Sequence, residues 1–96
     1  MGKYDPLAAY LARLGAERRT VTLTFHEIAR MVGKLPPSAY RNRYWWANDT
    51  QIQSRAWQSA GWRIAEGGVA FNHETVRFVR ATPPPAAERD VERVGH

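Results

Sequence analysis

Residues 20–32, TVTLTFHEIARMV, change from the pattern of a strand to the pattern of a helix without a linker. Apolar residues alternate with threonines over TVTLTF, which is typical of a strand buried on one face. Thr24 and Glu27 then have the spacing of a capping box, so a helix is predicted to begin where the strand ends. A chain of 96 residues is one small domain, and this strand and helix therefore belong to a single fold.

A helix is also predicted before the strand. Asp5 is expected to cap it, and Pro6 suits its first position. Apolar residues follow at helical spacing as far as Leu14, and Gly15 is expected to end the helix in a left-handed conformation.

The middle of the chain predicts one or two more helices after the LPP turn at 35–37. Ser38 is expected to cap a segment over 38–48, and the polar residues 48–50 separate it from a helix over about 50–60. In this last helix the core is expected to be anchored by Ile52, Ala56 and Trp57, with the glutamines and arginines outside.

A β-hairpin is predicted to close the fold. Its first strand begins at Trp62, and its second strand runs over 75–80. The turn is predicted at 72–74, with Gly67-Gly68 as a bulge in the first strand. The alternative is a turn at the glycine pair and a short extra strand. Residues 81–96 are proline-rich and predict a disordered tail in which VERV could dock on a partner.

The predicted order α-β-α-α(-α)-β-β places residues 1–80 in the α+β class. Three or four helices with a small antiparallel sheet, in this order, predict a winged-helix-like domain. Other small α+β domains share the order, so it does not by itself establish function.

The positive charge lies in the predicted fold. Lysine and arginine number 14 against nine acids, and residues 1–80 hold 12 basic and six acidic residues. Twelve of the 14 cations are arginine, which suits bidentate recognition of phosphate and base edges. A GC-rich genome is an alternative source of this arginine content.

Nucleic-acid contacts are predicted on the helix over 50–60 and around it. The second helix of a helix-turn-helix enters the major groove, and phosphate contacts position it there. The groove candidates are Thr50, Gln51, Gln53, Ser54, Arg55 and Gln58, and Asn48 is a further candidate contact to nucleic acid. The phosphate candidates are Lys34, Arg41, Arg43 and Arg63, with His73 and Arg77 on the hairpin as the wing. Each of these residues has an alternative role as part of an ordinary solvated surface or turn.

Tyr44, Trp45 and Trp46 form a candidate aromatic patch. Adjacent helical positions point about 100° apart, so only one of the two tryptophans is expected in the core. The other is expected to be partly exposed, where it could cover its own helix, stack on an unpaired base or pack on a partner protein.

The sequence gives little support to an enzyme. There is no cysteine, and the three histidines have no metal-ligand spacing. The acids of the fold are scattered, and no phosphate-cradling loop is present. We therefore expect no catalytic residue, no metal and no cofactor. The apolar runs are too short for a membrane span, and the N-terminus has no signal peptide, so a cytoplasmic protein is expected.

The chain resembles a family of small uncharacterised bacterial domains. The residues that carry the resemblance are KYDPL at 3–7, LTFHEI at 23–28, LPPSA at 35–39, WWAN at 45–48, AWQSAGW at 56–62 and VRFVR at 76–80. The resemblance spans about residues 3–80 and implies a domain of unknown function with a suspected nucleic-acid-binding role. Gly67-Gly68 departs from the regular strand expected at that place.

These observations favour a non-enzymatic nucleic-acid-binding module, first of all for double-stranded DNA, which could act as a transcriptional regulator. Only this interpretation also accounts for the local excess of positive charge. The alternatives are a protein-interaction adaptor that uses an exposed Trp45 or Trp46, and a single-strand binder that uses aromatic stacking. The sequence does not indicate an oligomeric state.

Overall fold

A computed structural model describes residues 2–81, which form an α+β domain with the predicted order of elements. The predicted tail lies outside the described residues, except for Ala81. The elements are helix α1 (Asp5–Ala12), strand β1 (Thr20–Thr24), helix α2 (Phe25–Val32), 3-10 turns at Pro37–Tyr40 and Arg43–Trp46, helix α3 (Ile52–Ser59), and strands β2 (Trp62–Ala70) and β3 (Thr75–Arg80).

The three strands form an antiparallel sheet in the order β1-β3-β2. The hairpin turn lies between Ala70 and Thr75, which confirms the prediction of a turn at 72–74. The predicted bulge is also present, because the pairing passes from Ile64 opposite Phe78 to Val69 opposite Val76. Residues 65–68 of β2 thus lie opposite the single residue 77 of β3.

The strand–helix corner forms as the sequence predicts. The Thr24 hydroxyl oxygen accepts a hydrogen bond from the Glu27 amide at 2.9 Å. The Glu27 carboxylate accepts one from the Thr24 amide at 2.8 Å. Two of the free donors at the start of α2 are therefore satisfied by side chains, and the chain turns from strand to helix within one residue.

Aromatic side chains fill the core between the sheet and the helices. The Trp46 ring is stacked between Phe25 and Trp57, at centroid distances of 5.2 and 6.0 Å and with planes 17° apart in both pairs. Its indole N–H donates to the Ala39 carbonyl at 2.8 Å, and the Trp62 indole N–H donates to the Leu11 carbonyl at 3.0 Å. Each buried ring thus has a partner for its polar atom, as stable aromatic cores require.

The ends predicted for the first helix are wrong. Asp5 is the first residue of α1, and its carboxylate accepts a hydrogen bond from the Gly2 amide at 2.8 Å. The helix ends at Ala12, and the next residue keeps a right-handed conformation. Gly15 lies beyond the helix end and does not have a positive φ. The last turn is closed by backbone bonds from residues 13 and 14, so no left-handed cap is needed.

The helix predicted over 38–48 is also wrong, because this segment forms two separate 3-10 turns. Asn42 caps the second turn, and its side-chain oxygen accepts a hydrogen bond from the Tyr44 amide at 2.9 Å. A local side-chain bond of this kind competes with continuous helix. The burial of the Trp46 ring fixes the end of the same segment.

Candidate functional site

A cleft of about 620 Å³ lies between the two 3-10 turns and the bulged part of β2. Three predicted phosphate contacts, Arg41, Arg43 and Arg63, line it together. Glu66 adds one carboxylate, and Trp46 and Phe71 are its aromatic residues. We call this feature the arginine cleft. Three arginines from two separate parts of the sequence therefore line one concave surface.

The side chain of Asn48 holds the two walls of the arginine cleft together. Its amide nitrogen donates to the Ile64 carbonyl at 3.0 Å, and its oxygen accepts from the Ile64 amide at 2.9 Å. The same oxygen accepts from the Trp57 indole N–H at 2.9 Å. Asn48 lines the cleft but uses both its polar atoms for the fold. These bonds give Asn48 a structural role, while its predicted role in binding stays a prediction.

The three cleft arginines make no side-chain hydrogen bond to another residue within 2–81, in contrast to Arg80. The Arg80 guanidinium donates to the carbonyls of Gly15, Leu14 and Arg18 at 2.6, 3.2 and 3.1 Å. It also lies 4.3 Å from the centroid of the Trp62 ring. Arg80 is therefore a structural cation, whereas the cleft arginines have no such role within residues 2–81.

Two glycines form the rim of the cleft at the bulge. Gly67 has a φ of +67°, and a Cβ there would meet no atom within 4 Å. A Cβ at Gly68 would lie 2.8 Å from the Ala65 carbonyl oxygen and 2.9 Å from the Arg77 carbonyl oxygen. Gly67 thus allows the backbone to turn and Gly68 allows it to pack closely, so that no side chain fills the opening.

Two of the predicted groove contacts on α3 do not face solvent. Gln53 and Ser54 are buried, and the Gln53 amide nitrogen donates to the Trp45 carbonyl at 2.8 Å. The Gln58 amide nitrogen donates to the Ser54 hydroxyl at 2.7 Å and to the Asp49 carbonyl at 2.8 Å. The irregular segment 43–49 exposes backbone carbonyls toward α3, and these carbonyls need donors. Gln53 and Ser54 are therefore corrected from groove contacts to core residues.

Gln51 is exposed but also bonded within the fold. Its amide nitrogen donates to the Tyr44 carbonyl at 3.0 Å and to the Asp49 carboxylate at 3.0 and 3.2 Å. Ile52, which the sequence predicts in the core, is 71% exposed. The face of α3 that packs inward carries Gln53 and Trp57. The buried face of the helix is therefore rotated away from Ile52, where the apolar spacing places it.

The remaining predicted contacts are exposed but do not line the arginine cleft: Lys34, Thr50, Arg55, His73 and Arg77. Lys34 follows the end of α2, and His73 lies in the hairpin turn. Arg55 borders a separate hollow of about 330 Å³ beside α1. Arg77 shares the outer face of the sheet with Arg63. Arg63 is paired with Val79, and residues two apart in a strand, such as Val79 and Arg77, point to the same face.

The tryptophan pair divides as predicted, and the structure shows which ring lies inside. Trp46 is buried, whereas Trp45 is half-buried and packs edge-to-face on Tyr4 at 5.9 Å. Burial raises the pKa of Tyr4 above its ordinary value. Of the predicted aromatic patch, only Tyr44 is mostly exposed, at 72%.

Sequence reasoning missed Glu66 and Phe71 as parts of the site. The signal that could have found them is the bulge at Gly67-Gly68, since bulges often lie beside binding sites. Glu66 precedes the two bulge glycines and Phe71 follows them, and both line the arginine cleft.

Within the described part of the chain, no group of three or more acidic or histidine residues could hold a metal ion. No helix in residues 2–81 has the length and apolar character needed to cross a membrane.

Neither a curated protein nor a solved structure matches the chain. One family profile does match, and it spans residues 4–81, from Tyr4 beside the Trp45 ring to the end of β3. The matched region therefore contains the whole described fold and the arginine cleft. The chain belongs to the family described as Domain of unknown function (DUF7662).

Proposed function

We propose that the chain is a non-enzymatic nucleic-acid-binding module of the bacterial cytoplasm, and that the arginine cleft holds the sugar–phosphate backbone. The observation that carries the proposal is the convergence of Arg41, Arg43 and Arg63 on one cleft with their donors unused inside the fold. Guanidinium groups match the geometry of phosphate oxygens and bind them bidentately.

The fold supports the same proposal. The order of elements and the small antiparallel sheet agree with a winged-helix-like domain, in which α2 and α3 would form the helix-turn-helix. The polar side chains of α3 are mostly bonded internally, however, and leave Arg55 on α3 and Thr50 just before it as exposed candidates. The main contact is therefore assigned to the arginine cleft, with α3 beside it.

The test is a titration of labelled duplex and single-stranded oligonucleotides, followed by fluorescence anisotropy at low salt. We expect the double variant Arg41→Ala/Arg43→Ala to weaken binding about tenfold or more, since each lost phosphate contact removes counterion release. Arg30→Ala, on the exposed side of α2, is the matched control and is expected to bind like the wild type. Absence of binding to either probe, or an equal loss in Arg30→Ala, would refute the proposal.

One observation favours a second function, the docking of a partner protein. Tyr44 and Ile52 are 72% and 71% exposed. Ile52 and Tyr4 line one hollow beside α1, and the half-buried Trp45 packs on Tyr4. Exposed apolar side chains of this kind mark interaction sites when they are grouped. A pull-down that survives nuclease and high salt, and that is lost in Tyr44→Ser/Ile52→Ser, would support docking over nucleic-acid binding.

A further inference from the structure

We propose that the arginine cleft takes an unpaired guanine nucleotide of a single strand, and that Glu66 recognises its base. This inference rests on the proposed function and names the class of nucleic acid that the cleft binds.

The shape of the cleft favours a single strand over a duplex. A protein reads a duplex by inserting a convex helix or ribbon into a groove, with side chains pointing outward. Here α3 buries Gln53 and Ser54, and the exposed Gln58 side chain is bonded to Ser54 and Asp49, whereas the cationic surface is concave. The volume of about 620 Å³ lies within the range of sites that enclose one small molecule or one residue of a polymer.

The cleft also contains what a base requires. Single-strand binders combine a positive groove with aromatic rings on which bases stack. Trp46 is buried and stacked with Phe25 and Trp57, so its ring offers no free face to a base. The half-buried Phe71 is the other aromatic residue lining it, and we assign the stacking contact to Phe71.

Glu66 then determines which base fits. A carboxylate only accepts hydrogen bonds, and it accepts two parallel ones through its two oxygens. Guanine presents two adjacent donors, N1–H and the 2-amino group, on its Watson–Crick edge. Thymine presents a single N–H between two carbonyls. The carbonyl oxygens and the carboxylate oxygens are all acceptors, so they would repel each other. In a duplex the guanine edge is paired with cytosine, so contact with Glu66 requires an unpaired base.

The outer face of the sheet gives the strand a path out of the cleft. Arg63 lies opposite Val79 on β3, and Arg77 is two residues from Val79 on the same face. Diagonal neighbours of this kind are about 7–8 Å apart, within reach of long side chains. The positive surface therefore continues from the cleft along the sheet, and the adjoining phosphate is expected near Arg77.

The experiment uses the full chain and thymine strands of about ten nucleotides, a length within the site sizes of single-strand binders. The strands carry guanine, inosine or adenine at the centre or thymine throughout, in DNA and RNA forms, and the guanine strand is also annealed to its complement. We expect the central guanine to tighten binding about tenfold over thymine, because a bidentate contact gives discrimination of this order. Inosine, which lacks the 2-amino group, should be intermediate, and annealing should remove the gain.

Glu66→Gln is the decisive variant, because it keeps the size of the side chain and removes the second acceptor. We expect it to lose the guanine preference and to bind the all-thymine strand as well as before or better. Glu17→Gln, which removes a carboxylate outside the cleft, should retain the preference.

Two results would overturn the inference while leaving the proposed function in place. One is duplex binding as tight as that of the guanine strand; the other is a Glu66→Gln variant that binds every strand more tightly with the guanine preference unchanged. The second result would mean that Glu66 only repels phosphate. If neither duplex nor single strand binds, or if Arg41→Ala/Arg43→Ala binds like the wild type, the proposed function fails as well.

Discussion

Asn48 connects three parts of the fold through a single amide group: the segment that contains the tryptophan pair, strand β2 and helix α3. We expect Asn48→Ala to lower the free energy of unfolding by about 2–3 kcal/mol, because it leaves the Trp57 indole N–H and the Ile64 backbone without partners. Urea unfolding measures the change.

Asn48→Asp tests the same contact more finely. The carboxylate keeps the acceptor for Trp57 and for the Ile64 amide but loses the donor to the Ile64 carbonyl. Its stability should fall less than that of Asn48→Ala. Equal stability of Asn48→Ala and the wild type would contradict the role assigned to this residue.

The two bulge glycines are expected to differ in what they tolerate. Gly68→Ala should destabilise the domain by about 1–3 kcal/mol, since its Cβ would press on two backbone carbonyls and these cannot move freely. Gly67→Ala has open space for the Cβ, and its cost should be about 1 kcal/mol, from the positive φ alone. Thermal unfolding of the two variants compares them. A larger loss in Gly67→Ala would show that the close approach at Gly68 is not the constraint.

At the scale of elements, Arg80 joins the end of β3 to the connector between α1 and β1. Arg80→Lys keeps the charge but loses the planar fork that reaches three carbonyls and the face of Trp62. We expect a loss of about 1–3 kcal/mol in the free energy of unfolding. Nucleic-acid affinity should not change at a temperature where the variant is folded.

Arg63→Lys is the counterpart of that variant on the cleft. It should have the stability of the wild type and, under the proposed function, weaker nucleic-acid binding. If Arg63→Lys instead lowers the free energy of unfolding and Arg80→Lys lowers the nucleic-acid affinity, the assignment of Arg80 to the fold and Arg63 to binding is wrong.

The elements that could be predicted from the sequence are those fixed by local chemistry. The alternation in β1, the Thr24–Glu27 capping box and the hairpin with its bulge each depend on neighbouring residues, and each is present. The segment over 38–48 could not be predicted, because its 3-10 turns depend on the Asn42 side chain and on the burial of Trp46 between two distant rings.

Helix α3 shows why apolar spacing alone is an incomplete guide. Ile52 has the spacing of a core residue, yet it is exposed, whereas the polar Gln53 is buried. The donor of Gln53 satisfies the Trp45 carbonyl of an irregular segment, and no pattern in the helix itself reveals that carbonyl. The convergence of three arginines likewise depends on how this segment packs against β2, so the sequence predicts the residues but not their grouping.

For the whole molecule, the proposed nucleic-acid binding predicts a response to salt. The described residues carry most of the cations, and three arginines line the cleft. With three phosphates neutralised on a single strand, the plot of log affinity against log salt should have a slope of about −2.

Removal of one cleft arginine should reduce that slope by about 0.7. Anisotropy titrations of Arg63→Ala and Arg30→Ala across a range of salt concentrations measure both values. An unchanged slope in Arg63→Ala would show that its guanidinium does not contact phosphate.

The sheet order leaves β2 at an edge, where unpaired backbone groups could recruit a strand from another molecule. At Ile64 this edge is occupied by the Asn48 amide, which bonds to both the N–H and the carbonyl as a neighbouring strand would. Beyond Ile64 the bulge breaks the regular spacing that a second strand would need. The irregularity that opens the arginine cleft therefore also protects the sheet from edge-to-edge association, and loss of the Asn48 amide should expose the chain to aggregation as well as weaken its core.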